Sequence, residues 1–285
     1  RSNISYFLEH NVLLRRFTLS VGVLANYNSA LNEGIHFYPG IDASYRIGDN
    51  FRLYGSWNRA LRMPTFTDLY YEGKTNKGNP DLKPEESEAF EVGLKYNTYF
   101  LRAHIAGFYR KGKNMIDWVK EKPEDIWESQ NLTKVDNLGF ETNLSLLPRE
   151  LGNERFFIRK IELGYAFIHQ DKDSEGYISN YALDYLKHKF TAQLSHSIWK
   201  GFSATWYVRW QDRAGSYTKY ENLKPAYEEP YAPYCLVDMK VNWEYQRLNL
   251  YAELNNLLNS TYYDLGNIPQ PGIWFKAGFR YSFKY

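Results

Sequence analysis

The sequence predicts an all-β chain forming the wall of a transmembrane antiparallel β-barrel. Three observations predict it. Apolar and polar residues alternate at period two along almost the whole chain, aromatic residues make up 18% of its 285 residues, and the connections between alternating segments are short and long by turns. Aromatic and β-branched residues favour strands. The 26 Tyr and 8 Trp suit surfaces that are half apolar and half wet. Mean hydropathy is negative, which is compatible with a membrane wall because lipid-facing apolar and lumen-facing polar residues cancel in the average.

Taken in chain order, strands are expected over residues 2–11, 16–27, 36–47, 51–59, 88–97, 100–119, 126–147, 157–169, 185–198, 202–212, 232–243, 247–257 and 272–285. The second shows the pattern plainly: Phe17, Leu19, Val21, Val23, Ala25 and Tyr27 alternate with Thr18, Ser20, Gly22, Leu24 and Asn26. Trp206, Val208 and Trp210 alternate with Thr205, Tyr207 and Arg209, and Val237, Met239 and Val241 with Asp238 and Lys240. Short links fall at 12–15, 48–50, 98–99, 199–201 and 244–246, with a somewhat longer one at 148–156. Long links fall at 28–35, 60–87, 120–125, 170–184, 213–231 and 258–271. Outer-membrane barrels show this rhythm of short turns at one end and long loops at the other.

The faces assigned outward carry almost no charge. Tyr45, Trp57, Tyr96, Tyr165, Trp199, Trp243 and Tyr281 fall near strand ends, where a barrel places its interfacial aromatic girdles. A strand of about ten residues tilted near 45° spans roughly 23 Å, close to the apolar band such a wall needs. Thirteen is odd, so the first and last strands of an antiparallel meander point the same way and cannot pair with each other antiparallel. An open edge is not tolerated in lipid. The expectation is that residues 1–285 are the C-terminal part of a larger, 22-stranded barrel, with its first strands and an N-terminal domain upstream.

Two stretches go beyond architecture. Residues 54–96 contain Arg62, Pro64 and Thr65, then Leu69 and Tyr70, then Gly78-Asn79-Pro80, Leu82-Lys83-Pro84-Glu85, and a strand with Glu91, Gly93 and Leu94. Residues 254–283 contain Asn256-Leu257-Leu258-Asn259, Tyr262, Pro271-Gly272 and a final strand with Gly278, Tyr281 and Phe283. Together they resemble the C-terminal barrel of TonB-dependent outer-membrane transporters, with Leu258 standing where that family usually has Phe. The resemblance implies a plug domain upstream that carries the energy-coupling segment, and a last strand that acts as a barrel-assembly signal. For the long motif two readings stay open: a shaped extracellular rim, or a device that orders a long loop and positions a strand start. Asn79-Pro80 and Lys83-Pro84 favour extended backbone before each proline and remove two donors.

Several chemistries find no support. Thirty-five basic against 33 acidic residues leave a net charge of +2 with no basic tract, which argues against nucleic acid. No His-Glu-x-x-His or Cys-x-x-Cys spacing occurs, and Cys235 stands alone. Residues 171–176 are similar to the start of a calcium loop, but the Glu it would need at position 182 is Ala182. No enzyme, metal or cofactor is expected.

The resemblance instead implies active uptake of a scarce, bulky nutrient across a Gram-negative outer membrane, cobalamin or a ferric siderophore first among them. A passive porin and a glycan importer are the alternatives. Implied partners are the TonB complex through the upstream plug, the barrel-assembly machinery, outer-membrane lipid and lipopolysaccharide, and a surface-exposed substrate-binding lipoprotein. Substrate contacts are expected from aromatics of the long links: Tyr70, Tyr71, Trp127, Tyr177, Tyr181, Tyr217, Tyr220 and Tyr227. Rigid aromatic rings offer large contact area at low entropic cost.

Overall fold

The computed structural model describes residues 2–29, 34–122, 124–152, 155–173, 176–179, 185–221, 224–266 and 268–283. Among them, thirteen long strands follow one another in chain order through one antiparallel sheet. They are β1 (Asn3–Leu13), β2 (Phe17–Asn28), β3 (Ile35–Ile47), β4 (Phe51–Arg62), β5 (Glu85–Asn97), β6 (Leu101–Lys120), β7 (Trp127–Leu146), β8 (Ile158–Asp173), β9 (Leu186–Trp199), β10 (Phe202–Arg213), β11 (Tyr234–Tyr245), β12 (Leu248–Asn255) and β13 (Trp274–Tyr281). The chain divides into two units: residues 1–95, 106–140 and 169–183, and residues 96–105, 141–168 and 184–285.

Each predicted strand is found, and the ends that moved moved for a reason. β4 runs to Arg62 and β5 starts at Glu85, three residues further on each side than the alternation alone predicts. A ladder of cross-strand side-chain pairs holds them together: Tyr54 with Glu91 and Trp57 with Glu88, both 2.8 Å, Arg59 with Glu86 at 3.4 Å, and Arg62 with Glu85 at 2.5 Å. Cross-strand partners of this kind are what stabilise paired strands, and polar pairs carry no hydrophobic signal by which to place a strand end.

The long links also contain structure that the sequence left as loop. A single helical turn, α1, covers Phe66–Tyr70; Asn76–Lys77 pairs parallel with Trp127–Glu128; Ile178–Ser179 pairs antiparallel with Val119 and Lys120. Ser216–Glu221 and Lys224–Pro230 form a hairpin, and Tyr263–Leu265 pairs with Ile268–Pro269. These pieces are too short and too mixed in polarity for a period to show.

Among the described residues, the wall does not gather its apolar side chains into a core. Along β3 the odd-numbered residues form an apolar face, with Ile35 at 58% and Phe37 at 61% exposure. Burial concentrates elsewhere. In the first unit it includes Leu69 and Leu82 of the 63–84 link, Trp118 and Val119 at the end of β6, and Tyr38, Ala106 and Val135 within strands. In the second it includes Tyr217, Tyr231 and Leu236.

On the polar face, tyrosines lie flat across glycines of the neighbouring strand. A Cβ on Gly93 would meet the Tyr54 ring at 2.5–2.6 Å, and one on Gly278 would strike the Tyr251 ring and its hydroxyl. Gly278 is the direct cross-strand partner of Tyr251. Lys240 stands 4.6 Å above that ring and shares Glu253 with Lys276, at 2.8 and 2.6 Å. Gly278→Val should therefore push the ring off the strand, at a cost of about 1–3 kcal/mol from overpacking. The check is the unfolding temperature of the folded protein, followed by its heat-modifiable migration. Tyr251→Ala in the same background should recover most of the loss. A Gly278→Val variant as stable as wild type would overturn the account.

Candidate functional site

The link between β4 and β5 in the first unit is held by many hydrogen bonds. β4 ends by turning Arg62 onto the polar face, and Pro64 is buried next to it. Thr65 then caps α1. Its hydroxyl accepts from the Asp68 N–H at 3.1 Å, while the Asp68 carboxylate accepts from the Thr65 N–H at 2.9 Å, a reciprocal capping box. Asp68 is 8% exposed and lies 3.7 Å from the Arg62 guanidinium.

The chain returns through Gly78, whose N–H donates to the Tyr71 carbonyl at 2.6 Å. A Cβ there would stand 2.8–2.9 Å from backbone atoms of Leu69, Tyr70 and Tyr71, so glycine is required. The Asn79 N–H donates to the Asp68 carbonyl at 2.9 Å, and the Asn79 side chain accepts from the Asp81 N–H at 2.9 Å, an Asx turn ahead of Leu82.

Two anchors close the link. The Asn131 amide accepts from the Lys83 N–H at 2.8 Å and donates to the Lys83 carbonyl at 2.9 Å and the Asn114 carbonyl at 2.6 Å. Asn114 has φ 52°, so β6 is locally irregular where it is held. Glu85, 7% exposed, accepts from Arg62 Nε and Nη2, each at 2.5 Å, and from the Ile116 N–H at 2.8 Å. Three N–H groups on one buried carboxylate, two of them in a bidentate guanidinium fork, make a strong latch. Behind it, Asp117 and Lys172 form a buried pair at 3.8 Å.

The proposed contact residues sort differently. Tyr70 is 62% and Tyr71 50% exposed, the latter edge-on to Trp118 with centroids 6.4 Å apart. Trp127 is half-buried under the Lys120 ammonium at 4.5 Å, and Tyr177 lines a cavity of about 290 Å³ with Lys120, Glu121 and Asp125. In the second unit Tyr217 is 6% exposed, between Tyr231 and Tyr263 at centroid distances of 5.2 and 4.9 Å. Tyr227 is 51% exposed on the same hairpin, and Tyr220 lies in its first strand opposite Pro225. Tyr181 lies outside the described residues.

The second motif stitches the link before β13. The Asn256 amide donates to the Ser260 and Pro271 carbonyls at 2.9 and 3.2 Å and accepts from the Ser260 N–H at 2.9 Å. The Asn259 side chain accepts from the Ile273 N–H at 3.0 Å and fills the space a Cβ on Gly272 would need. Asn256 and Asn259 both have positive φ, 51° and 48°, a conformation asparagine tolerates better than most residues.

This arrangement has recognisable relatives. The family described as TonB dependent receptor-like, beta-barrel matches residues 1–257. The chain belongs to this family. It is 26% identical over 224 residues to the Vitamin B12 transporter BtuB of Vibrio vulnificus, covering 59% of this chain and 36% of that protein. It is 22% identical over 297 residues to the Ferrienterobactin receptor of Escherichia coli, covering 94% of this chain and 38% of that protein. Among solved structures, the siderophore receptor PirA from Pseudomonas aeruginosa matches 99% of this chain with a TM-score of 0.72 at 17% identity, over 46% of its own length. The chain thus spans less than half the length of these relatives.

The protein is a barrel wall of the Gram-negative outer membrane. Membership gives the two faces their solvents: the exposed apolar face meets lipid, and the face of Tyr54, Arg62 and Glu85 meets the lumen.

Sequence reasoning named Arg62 and Glu85 but not the fork that joins them. The Thr65-x-x-Asp68 spacing is a readable capping signal. Nothing local marks Asn131, which acts 48 residues from Lys83, or Trp118 beneath Tyr71. Glu85→Gln should weaken the fork and free the 63–84 link, a loss of about 1–3 kcal/mol for a charged hydrogen bond. Tryptic cleavage at Lys74 and Lys77 of the folded protein should rise about tenfold, which corresponds to 1.4 kcal/mol. Unchanged cleavage would show that Asn131 and Gly78 hold the link without the latch.

Proposed function

We propose that this chain is the C-terminal part of the barrel of a receptor for TonB-dependent active uptake, with cobalamin or a ferric siderophore as its substrate. The observation that carries the reading is the latched 63–84 link, which fixes a platform at the loop end and presents Tyr70 and Tyr71 with their rings exposed. A binding rim gains affinity when its contact groups are ordered before the ligand arrives. A passive pore has no use for such a platform. The names of the relatives, a vitamin B12 transporter and a ferrienterobactin receptor, support the same substrate classes.

In this reading a plug upstream of residue 1 couples to the TonB complex, and a surface lipoprotein hands over substrate. The assembly machinery reads the final strand through Gly278, Tyr281 and Phe283. Tyr70, Tyr71, Trp127, Tyr177 and Tyr227 supply substrate contacts, with Tyr181 and Tyr220 on the same links. Tyr217 contributes through the hairpin it packs.

Binding of cobalamin and of ferric catecholates to the full-length protein tests the substrate class. Nanomolar affinity for one of them is expected; tight binding of an oligosaccharide with neither would make the protein a glycan importer. Tyr70→Ala with Tyr71→Ala should weaken binding at least tenfold, about 1.4 kcal/mol. Unchanged affinity in a correctly folded double variant would move the binding surface away from this link.

A further inference from the structure

Two links of the first unit are fastened to one pair of strand ends. The 63–84 link leads into β5, yet its Asn76–Lys77 pairs with Trp127–Glu128 of β7, two places further along the sheet. The link that follows β8 goes the other way. Its Ile178–Ser179 pairs with Lys120 and Val119 of β6, two places back. Each of these pairings is only two residues long, and a two-stranded pairing is marginal in water without packing to support it.

The end of β6, residues 116–120, supplies that support to both links. For the 63–84 link, the Ile116 N–H donates to Glu85 at 2.8 Å and the Trp118 ring stands edge-on to Tyr71 with centroids 6.4 Å apart. For the link after β8, Val119 and Lys120 carry the backbone pairing, and Asp117 meets Lys172 of β8 at 3.8 Å. β7 lies between β6 and β8, so the Asp117–Lys172 pair joins strands that share no backbone ladder. Its side chains are 2% and 4% exposed, and Lys172 Nζ makes no hydrogen bond. Removing one member of such a pair strands a charge in a dry site, whereas an apolar pair of similar volume strands none. Asp117, Trp118 and Lys172 are too deep to touch a ligand, so they act on binding through Tyr71 and Tyr177.

We propose that Asp117, Trp118 and Lys172 are positioning residues that join the two links into one recognition surface, in which Tyr71 and Tyr177 are ordered together. The proposal rests on the reading of these links as a substrate rim, while the coupling between them is a property of the ligand-free protein. Two links ordered separately would each add an entropic cost to binding, and a shared strut removes both before the ligand arrives. Loosening is then shared as well: a strut released at its β8 end also releases the platform that carries Tyr71.

The experiment is amide hydrogen exchange on the full-length, ligand-free protein, read at Leu69, Tyr71, Gly78 and Asn79 of one link and at Ile178 and Ser179 of the other. Lys172→Met should speed exchange at least fivefold in both links, and Asp117→Leu with Lys172→Met should return most of it to the wild-type rate. Trp118→Leu, which keeps the charged pair and removes the ring beside Tyr71, should give the same two-link rise, and it keeps the test open if Lys172→Met folds poorly. Binding of cyanocobalamin and of a ferric tris-catecholate is measured on the same proteins. Lys172→Met should weaken whichever probe binds at least threefold, with recovery in the apolar pair. A rise confined to the link after β8, no rise in either link, or equal probe affinity in wild type and Lys172→Met overturns the proposal. A wild type that binds neither probe overturns the substrate reading instead, and the exchange rates still decide the coupling.

Discussion

Backbone hydrogen bonding from strand to neighbouring strand is the constraint on which the rest of this protein depends. In lipid an unpaired N–H or carbonyl has no water to turn to, so each strand must be flanked over its whole membrane length. That requirement fixes the chain-order meander, the length of each strand and the alternation of faces. It also removes the usual reason for a core, because a single layer with lipid on one side buries nothing between layers. Phe37 and Ile35 can stand with more than half their surface uncovered by protein because water is not what they meet.

Where the chain leaves the wall, this support ends and ordinary protein stability has to be built afresh. The 63–84 link shows how. It buries Leu69 and Leu82, caps its one helical turn with Thr65 and Asp68, uses Gly78 to let two backbone segments touch, and fastens both ends with Arg62–Glu85 and Asn131. The contacts that close it, the Arg62–Glu85 fork and the Asn131 amide, are charged or bidentate because little apolar surface is available to hold it. The 216–230 hairpin solves the same problem with rings, packing Tyr217 against Tyr231 and Tyr263 and receiving the Gly266 N–H on the Tyr231 hydroxyl at 3.0 Å.

This division explains what could be read in the sequence. Period-two alternation over ten or more residues is a strong signal, and it located thirteen strands with ends displaced by a few residues. The displaced ends, at Arg62 and Glu85 for instance, are held by polar cross-strand pairs that leave no trace in hydropathy. The loop-end pieces at 76–77, 178–179, 216–221 and 224–230 were not legible, because runs of two to seven residues of mixed polarity carry no period. Long-range anchors were illegible for another reason. Asn131 reads as an ordinary strand residue until Lys83 is brought to it.

The tyrosines show where composition alone runs out. A ring on a long link is equally suited to meet a ligand or to hold the link together, since both uses draw on the same apolar body and polar tip. Three-dimensional context separates them. Tyr217 and Tyr231, each 6% exposed, have committed their faces to neighbours, whereas Tyr227 is 51% exposed and Tyr70, stacked on Phe66 with centroids 6.2 Å apart, is still 62% exposed. Tyr71 lies between these cases: half exposed, it gives an edge contact to Trp118 and leaves much of its surface open. The packed rings make the exposed ones useful, because a side chain on a link that is not itself held would lose on ordering what it gained on contact. The latch at Glu85 and the ring cluster at Tyr217 thus serve one physical purpose by different chemistry: each removes in advance the ordering cost that a ligand would otherwise meet.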